Sequence, residues 1–230
     1  MILKSFGKKF NVENFDEQTL KNKKKHGELF PNSIRAIICG RSNCGKTNLL
    51  ISFITHPNGL RFRNIYIYSK SLNQPKYLFL EKVMKGIPSL GYFTFSANEE
   101  VISPNHVKSN SIIIFDDVIS DSRQNNIKQF FSFGRHFSCD SFLLAQTYSA
   151  INKQLIRDNA NFIILFKMDE TNLRHVYNDF VNTDFSYQSF LNLCSKCWNE
   201  NPFGYIVIDR DSEINAGRYR NGLDKFFTNI

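Results

Sequence analysis

The chain has 230 residues, and 29 Lys and Arg against 21 Asp and Glu give it a formal net charge of +8. This length is typical of one α/β domain and can bury a core without disulfides or metal ions. The basic balance excludes an acidic solvating tail and is compatible with a polyanionic partner. Hydrophobic residues make up 42% of the chain and charged residues 22%, which excludes a disordered protein. The sequence has no apolar run long enough to span a membrane. We also expect no secretory signal, because no apolar run follows the lysine-containing residues 1–10.

The five cysteines are an odd number scattered through apolar segments. We therefore expect free thiols and a reducing compartment rather than a disulfide framework. Cys194 and Cys197 form one C-x-x-C pair, a spacing that is also found in one half of many zinc sites. Because no second pair follows at zinc-ribbon spacing, we expect both cysteines on one face of a helix, with a metal site as the alternative.

In chain order, the polar and lysine-containing residues 1–30 come first and predict a basic N-terminal arm. Short apolar runs then alternate with amphipathic segments. Predicted strands cover 34–39, 65–68, 92–95, 112–115, 142–145, 162–166 and 205–208. Predicted helices cover 47–55, 74–85, 125–133, 151–157, 170–180 and 187–198.

The predicted strands are apolar on both faces and alternate with helices. This pattern predicts an α/β fold over residues 31–210, with a mostly parallel central sheet flanked by helices on both faces. Residues 211–230 are predicted to form a C-terminal tail.

Residues 40–47 match the phosphate-loop pattern G-x-x-x-x-G-K-[ST] at every specified position. Glycines let successive backbone N–H groups approach phosphate oxygens, and the N-terminus of the following helix adds a favourable dipole. Lys46 is predicted to reach the β- and γ-phosphates of a nucleotide, and Thr47 to bind Mg²⁺. The predicted nucleotide-binding residues are Gly40, Arg41, Ser42, Asn43, Cys44, Gly45, Lys46, Thr47 and Asn48.

Two carboxylates, Asp116 and Asp117, follow the strand predicted over 112–115. Open α/β sheets bind ligands at the carboxyl ends of parallel strands, so we expect this pair beside the phosphate loop. Asp116 is the predicted partner of Mg²⁺, through water, and Asp117 the predicted base that polarises the attacking water. A turn or a helix N-cap is the structural alternative for the pair. With the phosphate loop, the pair predicts hydrolysis of a nucleoside triphosphate with Mg²⁺.

Gln146 follows the strand predicted over 142–145. If this strand lies between the phosphate-loop strand and the aspartate strand, Gln146 lies beside the γ-phosphate. It would then orient water or sense hydrolysis. A polar strand end without a catalytic role is the alternative.

Taken together, these segments resemble the genome-packaging ATPases of the FtsK–HerA superfamily, most closely the poxvirus and polinton or adintovirus type. The resemblance covers about residues 31–167. It is carried by residues 37–40, 45–47, 113–117, 134–136, 146, 157, 159 and 164–167. It implies a RecA-like P-loop ATPase domain that uses ATP and Mg²⁺, assembles into a homo-oligomeric ring (pentamer or hexamer) and translocates double-stranded DNA into a preformed capsid.

The resemblance also implies partners and a location. The expected docking partner is a viral capsid vertex or portal protein, and no membrane partner is expected. The expected location is a virus-infected host cell, in the nucleus or a cytoplasmic virus factory, with association with the virion as a further expectation.

In ring motors of this kind an arginine from the neighbouring subunit stabilises transition-state charge, and arginine suits this role through its permanent charge and forked donors. The resemblance places Arg135 at this position, with Arg157 as the second candidate. A surface salt bridge is the alternative for each arginine. Many members of the superfamily have Asp-Glu where this chain has Asp116-Asp117, so the shorter carboxylate of Asp117 must come closer to the water.

Two other functions share the phosphate loop. A DNA helicase or a partition-type ATPase would have the same ring and charge, and the sequence does not separate it from a packaging motor. A nucleotide kinase needs an arginine-bearing lid, for which the sequence offers little beyond Arg157 and Arg174.

Overall fold

The computed structural model of the protein describes residues 24–96, 99–118 and 121–228. Residues 1–23, most of the predicted N-terminal arm, lie outside this part of the chain. Within it, the strands are β1 (Arg35–Cys39), β2 (Asn64–Ser69), β3 (Gly91–Ser96), β4 (Ser111–Asp116), β5 (Cys139–Ala145), β6 (Phe162–Phe166), β7 (Tyr205–Asp209), β8 (Tyr219–Asn221) and β9 (Lys225–Phe226). The α-helices are α1 (Lys46–Thr55), α2 (Pro75–Lys85), α3 (Asp121–Phe133), α4 (Glu170–Val176) and α5 (Tyr187–Glu200).

The described strands join one sheet in the order β3-β2-β4-β5-β1-β6-β7-β8-β9. The first six in this order run parallel, and the last three are each antiparallel to the preceding neighbour. β5 lies between β4 and β1, which is the placement on which the prediction for Gln146 depends. The predicted α/β fold with a mostly parallel sheet is confirmed.

Side chains alternate between the two faces of the sheet along each strand. Both faces are apolar, and helices cover both of them. In β1, Ile37 and Cys39 join one buried cluster, whereas Ala36 and Ile38 join the other. The first cluster includes side chains of α3, α4 and α5, and the second includes side chains of α1 and α2. β2, β4, β5 and β6 are buried along their whole length, which explains why their sequences are largely apolar.

The sheet continues beyond residue 210, into the segment predicted as a C-terminal tail. β8 pairs with β7, and β9 pairs with β8. Arg220 of β8 is buried, forms an ion pair with Asp209 and donates to the carbonyl oxygen of Leu29 at 2.6 Å. Leu29 belongs to the predicted arm, so the described residues on both sides of 31–210 pack against that unit.

Cys194 and Cys197 are buried on α5, as expected for two cysteines on one helix face. Burial raises the pKa of Cys197 to about 12, so this thiol stays protonated at neutral pH. In the described ranges, no group of three or more His, Cys, Asp or Glu side chains could hold a metal ion. Among the helices of those ranges, none has the length and apolar character needed to cross a bilayer.

Candidate active site

The phosphate loop connects the carboxyl end of β1 to the start of α1. Asn43 and Gly45 have left-handed backbone conformations, with φ of 61° and 106°. Gly45 adopts this conformation without steric cost and, as the N-cap of α1, brings no side chain to the first N–H groups of the helix. Gly40 is required for space, because a Cβ there would lie 2.6 Å from the Cβ of Phe166. The loop therefore presents backbone donors in the manner of an anion site.

Lys46, the first residue of α1, folds its side chain back over the loop. Its Nζ donates to the carbonyl oxygens of Gly40 at 2.7 Å and Arg41 at 2.9 Å. A phosphate oxygen is a charged acceptor and forms a stronger hydrogen bond than a neutral carbonyl. The ammonium group is thus held at the loop by partners that a phosphate can replace.

Asp116, the last residue of β4, is only 9% exposed. The Thr47 hydroxyl donates to its Oδ2 at 3.0 Å, and the Tyr77 hydroxyl of α2 donates to the same oxygen. Burial, together with the neighbouring Asp116, raises the pKa of Tyr77, so the phenol stays protonated and remains a donor. The two predicted Mg²⁺ ligands are thereby in direct contact.

The role of Tyr77 was not predicted from the sequence. The spacing of Tyr77, Leu80 and Met84 on α2 is that of an inward helix face, and all three are buried. The partner Asp116 lies 39 residues further along the chain. No local pattern in the sequence indicates that pairing.

Asp117 and Gln146 line an open cleft of about 310 Å³ beside the phosphate loop. The strands β4, β5 and β1 are neighbours, so three consecutive strand ends bring the aspartates, Gln146 and the loop together. The Asp117 and Gln146 side chains are exposed, in contrast to Asp116. Asp117 also has a left-handed backbone, with φ of 56°, a sparsely populated conformation that clusters at functional sites.

The predicted nucleotide-binding residues divide into two sets. Those that line the cleft are Ser42, Asn43, Gly45, Lys46, Thr47 and Asn48. Of the others, Gly40 is buried, Cys44 packs against the hydrophobic core and Arg41 is exposed.

Arg135 lies at the opposite edge of the sheet. It borders a hollow with Ser33, Asn110 and Ser138, residues that come just before β1, β4 and β5. Parallel strands start at this amino edge and end at the carboxyl edge, and the seven residues of β5 span about 20 Å. Arg135 is exposed, but it is too far from the phosphate loop to serve the cleft of its own subunit.

Arg157 is buried, and its guanidinium forms an ion pair with Asp179 at 2.9 Å. The same guanidinium lies 5.0 Å from the ring centre of Tyr148, whose hydroxyl donates to Asp179 at 2.9 Å. These contacts engage Arg157 inside its own subunit and do not present it to a neighbour.

A phosphate loop between a strand and a helix, with a contacting carboxylate at the end of a nearby parallel strand, defines a P-loop NTPase. The sequence matches the family described as Poxvirus A32 protein over residues 21–212, and the chain belongs to that family. No curated protein sequence matches the chain.

Packaging proteins of two Sulfolobus viruses are among the solved structures that this chain resembles. The DNA-packaging ATPase B204 from Sulfolobus Turreted Icosahedral Virus is 14% identical with a TM-score of 0.52, over 76% of this chain and 92% of that one. The genome packaging NTPase B204 from Sulfolobus turreted icosahedral virus 2, in complex with ATP-gammaS, is 12% identical with a TM-score of 0.51, over 77% and 93%. The same protein in complex with AMPPCP is 12% identical with a TM-score of 0.51, and the match covers 78% of this chain and 93% of that one. At these identities the likeness establishes the fold alone.

Proposed function

We propose that the protein is a viral DNA-packaging ATPase, which hydrolyses ATP and translocates double-stranded DNA into a preformed capsid. The observation that carries the proposal is the 3.0 Å contact between Thr47 and Asp116, in a chain of the A32 family. This contact joins the phosphate loop to the carboxylate that ATP hydrolysis requires. Support comes from the B204 proteins, which share the fold and are described as packaging enzymes.

The residues present fit ATP with Mg²⁺. Backbone N–H groups of the loop and the Lys46 ammonium are donors for phosphate oxygens. Thr47 and Asp116 supply hard oxygen atoms, the type of ligand that Mg²⁺ prefers. Mg²⁺, when bound, neutralises charge that develops on the phosphate oxygens. Tyr77 acts through Asp116, since its hydrogen bond fixes the orientation of that carboxylate.

Asp117 and Gln146 are the proposed catalytic side chains at the water. The exposed carboxylate of Asp117 accepts the proton of the attacking water, and the amide of Gln146 orients that water. Both side chains line the same cleft and follow adjacent strand ends, which supports the proposal that they act on the same water molecule.

A neighbouring subunit completes the site with its Arg135. Arg135 is exposed at the amino edge, one strand length of about 20 Å from the carboxyl edge where its own phosphate loop lies, so we place its phosphate partner on another copy of the chain. Joining the amino edge of one copy to the carboxyl edge of the next gives a head-to-tail contact, which closes into a ring when the rotation permits. We propose a ring of five or six copies.

The net charge of +8 supports binding of double-stranded DNA through its phosphates. A motor that moves over every sequence needs such contacts and no base readout. A capsid vertex or portal protein is the proposed docking partner. The proposed location is an infected cell, in the nucleus or a cytoplasmic virus factory, or the virion.

A kinase is not favoured by the structure. Arg157 is paired with Asp179, and Arg174 is paired with Glu170, so the two arginines that the sequence offered for a kinase lid have partners within the subunit. A helicase or a partition-type ATPase would have the same cleft. It would differ from a packaging motor in the nucleic acid on which it acts.

The test is the rate of ATP hydrolysis by the full chain without DNA, with duplex DNA and with single strands. A packaging motor predicts the strongest stimulation by duplex DNA of any sequence, with an apparent affinity that falls linearly on a log–log plot against salt. Stimulation by single strands alone would indicate a helicase instead. Stimulation limited to one duplex sequence, or insensitive to salt, would contradict a motor.

A further inference from the structure

Phe203 is an exposed aromatic side chain on the wall of the phosphate cleft. It is 61% exposed, the highest value among the exposed large hydrophobic side chains of the described residues. It lines the cleft together with Lys46 and Asn48. A Cβ built on Gly45 would lie 3.5 Å from Phe203 Cδ1, so the ring lies against the phosphate loop itself. Leaving such a ring in water is unfavourable, and a ligand with an apolar face would cover it.

The turn that carries Phe203 is held by its neighbours. The side-chain oxygen of Asn201 accepts a hydrogen bond from the Phe203 N–H at 2.9 Å, and its carbonyl oxygen accepts one from the Gly204 N–H at 3.0 Å. Gly204 lies so close to α5 that a Cβ there would be 2.1 Å from the carbonyl oxygen of Cys197. The ring is therefore presented by a short, defined turn between α5 and β7.

The place of this turn in the sheet indicates what the ring contacts. β7 is antiparallel to β6, so the start of β7 lies at the carboxyl edge, beside the phosphate loop. In the sheet order, β4 with its aspartates lies two strands from β1 on one side, and β7 lies two strands from β1 on the other. The proposed function places the terminal phosphate on the side of the aspartates and Gln146. The sugar and base of a nucleotide then extend to the opposite side, where Phe203 lies.

We propose that Phe203 is the platform on which the base of the bound nucleotide stacks. The inference rests on the proposed function, because it takes the cleft to be the ATP site. An aromatic face stacks on any base, since every base has a π-face. Phe203 therefore contributes affinity for the nucleoside and none for the phosphates, and it tolerates different bases.

The experiment compares the binding of ATP and of inorganic triphosphate to the full chain, with Mg²⁺, by calorimetry. Phe203→Ala is expected to weaken ATP binding by roughly 5- to 150-fold, the range measured for loss of one base–aromatic stack, and to leave triphosphate binding unchanged. Phe203→Trp is expected to keep ATP affinity and to show a fluorescence change with ATP but none with triphosphate. Phe133→Ala is the matched control, because Phe133 is 57% exposed at the end of α3 and does not line the cleft.

Equal weakening of ATP and triphosphate binding would mean that Phe203 only supports the phosphate loop. Unchanged ATP binding would remove Phe203 from the site. Either result overturns the proposal. Failure of the proposed function would give a different result. Either Lys46→Ala would bind ATP and triphosphate as tightly as the wild-type chain does, or neither ligand would bind to either protein.

Discussion

The two edges of the sheet contain polar residues in opposite situations. At the carboxyl edge, Lys46, Asp117 and Gln146 border an open cleft, and the lysine is held by carbonyl oxygens that a phosphate can replace. These groups have hydrogen-bonding capacity left for a ligand.

At the amino edge, Asp140 of β5 and its partner His26 are buried, and its partner Lys25 is partly exposed. Asp140 accepts hydrogen bonds from Lys25 Nζ at 2.6 Å and from the Ile34 N–H at 2.7 Å. His26 Nε2 lies 3.0 Å from Asp140, and its Nδ1 accepts from the Arg61 N–H, so Nε2 is the nitrogen that donates to the carboxylate. This network satisfies its own members and anchors the described start of the chain.

The difference shows that an aspartate in a strand has no fixed role. Asp116 and Asp140 are both buried in neighbouring strands, and their partners decide what each can do. We expect substitutions at the carboxyl edge to impair turnover in a folded protein, and substitutions in the Asp140 network to lower stability. Arg135 is the exception at the amino edge, because it is exposed and its proposed partner is another copy.

The largest effect is expected for Lys46→Ala, which removes the cation predicted at the β- and γ-phosphates. Turnover should fall below detection, by well over a hundredfold, while the thermal unfolding midpoint changes little. Lys85→Ala is the control, because Lys85 is exposed on α2 and pairs with Glu81. Near-wild-type hydrolysis by Lys46→Ala would contradict the assignment of the phosphate loop.

Arg135→Ala should lower kcat by on the order of a thousandfold in assembled protein, since an arginine finger serves the transition state. ATP affinity should stay nearly unchanged. Wild-type turnover should rise more than linearly with protein concentration, and Arg135→Ala should flatten that rise. Arg174→Ala is the control, because its exposed guanidinium pairs with Glu170 on the same helix.

Substitutions of the two adjacent aspartates should have different effects, one on metal binding and the other on proton transfer. Asp117→Asn should bind ATP and lose turnover by about a hundredfold or more, the range expected for a general base. Asp116→Asn should raise the Mg²⁺ concentration needed for activity. Kinetics across a Mg²⁺ titration, with ATP binding measured separately, distinguish the two roles. An equal loss of nucleotide binding in both variants would show that the division is wrong.

The smallest expected effect concerns stability at the amino edge. Asp140→Asn removes the charge that pairs with the partly exposed Lys25 and the buried His26, and it should lower the free energy of unfolding by about 2–3 kcal/mol without changing ATP affinity. Glu81→Gln removes an exposed pair on α2 and should cost at most about 0.5 kcal/mol. Denaturant titrations measure both, and equal costs for the two variants would contradict the contrast.

The stability difference between wild type and Asp140→Asn should also depend on pH. Burial raises the pKa of Asp140, but the hydrogen bond from His26 and the charge of Lys25 outweigh burial and hold the pKa below its ordinary value of 3.8. A lowered folded-state pKa means that the charged carboxylate stabilises the fold above pH 3.8 and loses this effect as the pH falls through the folded-state pKa. The difference between wild type and Asp140→Asn should therefore be constant near neutral pH and shrink below about pH 4.

The carboxyl edge was predictable because its signals are local. The phosphate loop is one contiguous motif, and the aspartates and Gln146 each follow an apolar strand. The amino edge was not predictable in this way, since Asp140 contacts residues more than 100 positions away. The same holds for Arg157, whose partner Asp179 belongs to a different helical segment.

Two further features escaped the sequence pattern for physical reasons. β8 and β9 are short, and two of the three residues of β8 are polar, Arg220 and Asn221. Arg220 can be buried because it forms an ion pair with Asp209. Phe203 lies in a turn, where an aromatic side chain has no periodic signal. Its position opposite the aspartates becomes visible only through the strand order.

Mixing two inactive variants tests most directly whether one site is built from two edges of two subunits. Arg135→Ala subunits keep the phosphate loop, and Lys46→Ala subunits keep the arginine, so a joint assembly contains some complete sites. The measurement is ATP hydrolysis by the mixture in the presence of duplex DNA, with joint assembly shown by co-purification of differently tagged chains. Recovery of activity that neither variant has alone is the predicted result. No recovery in mixtures shown to assemble would contradict a site shared between subunits.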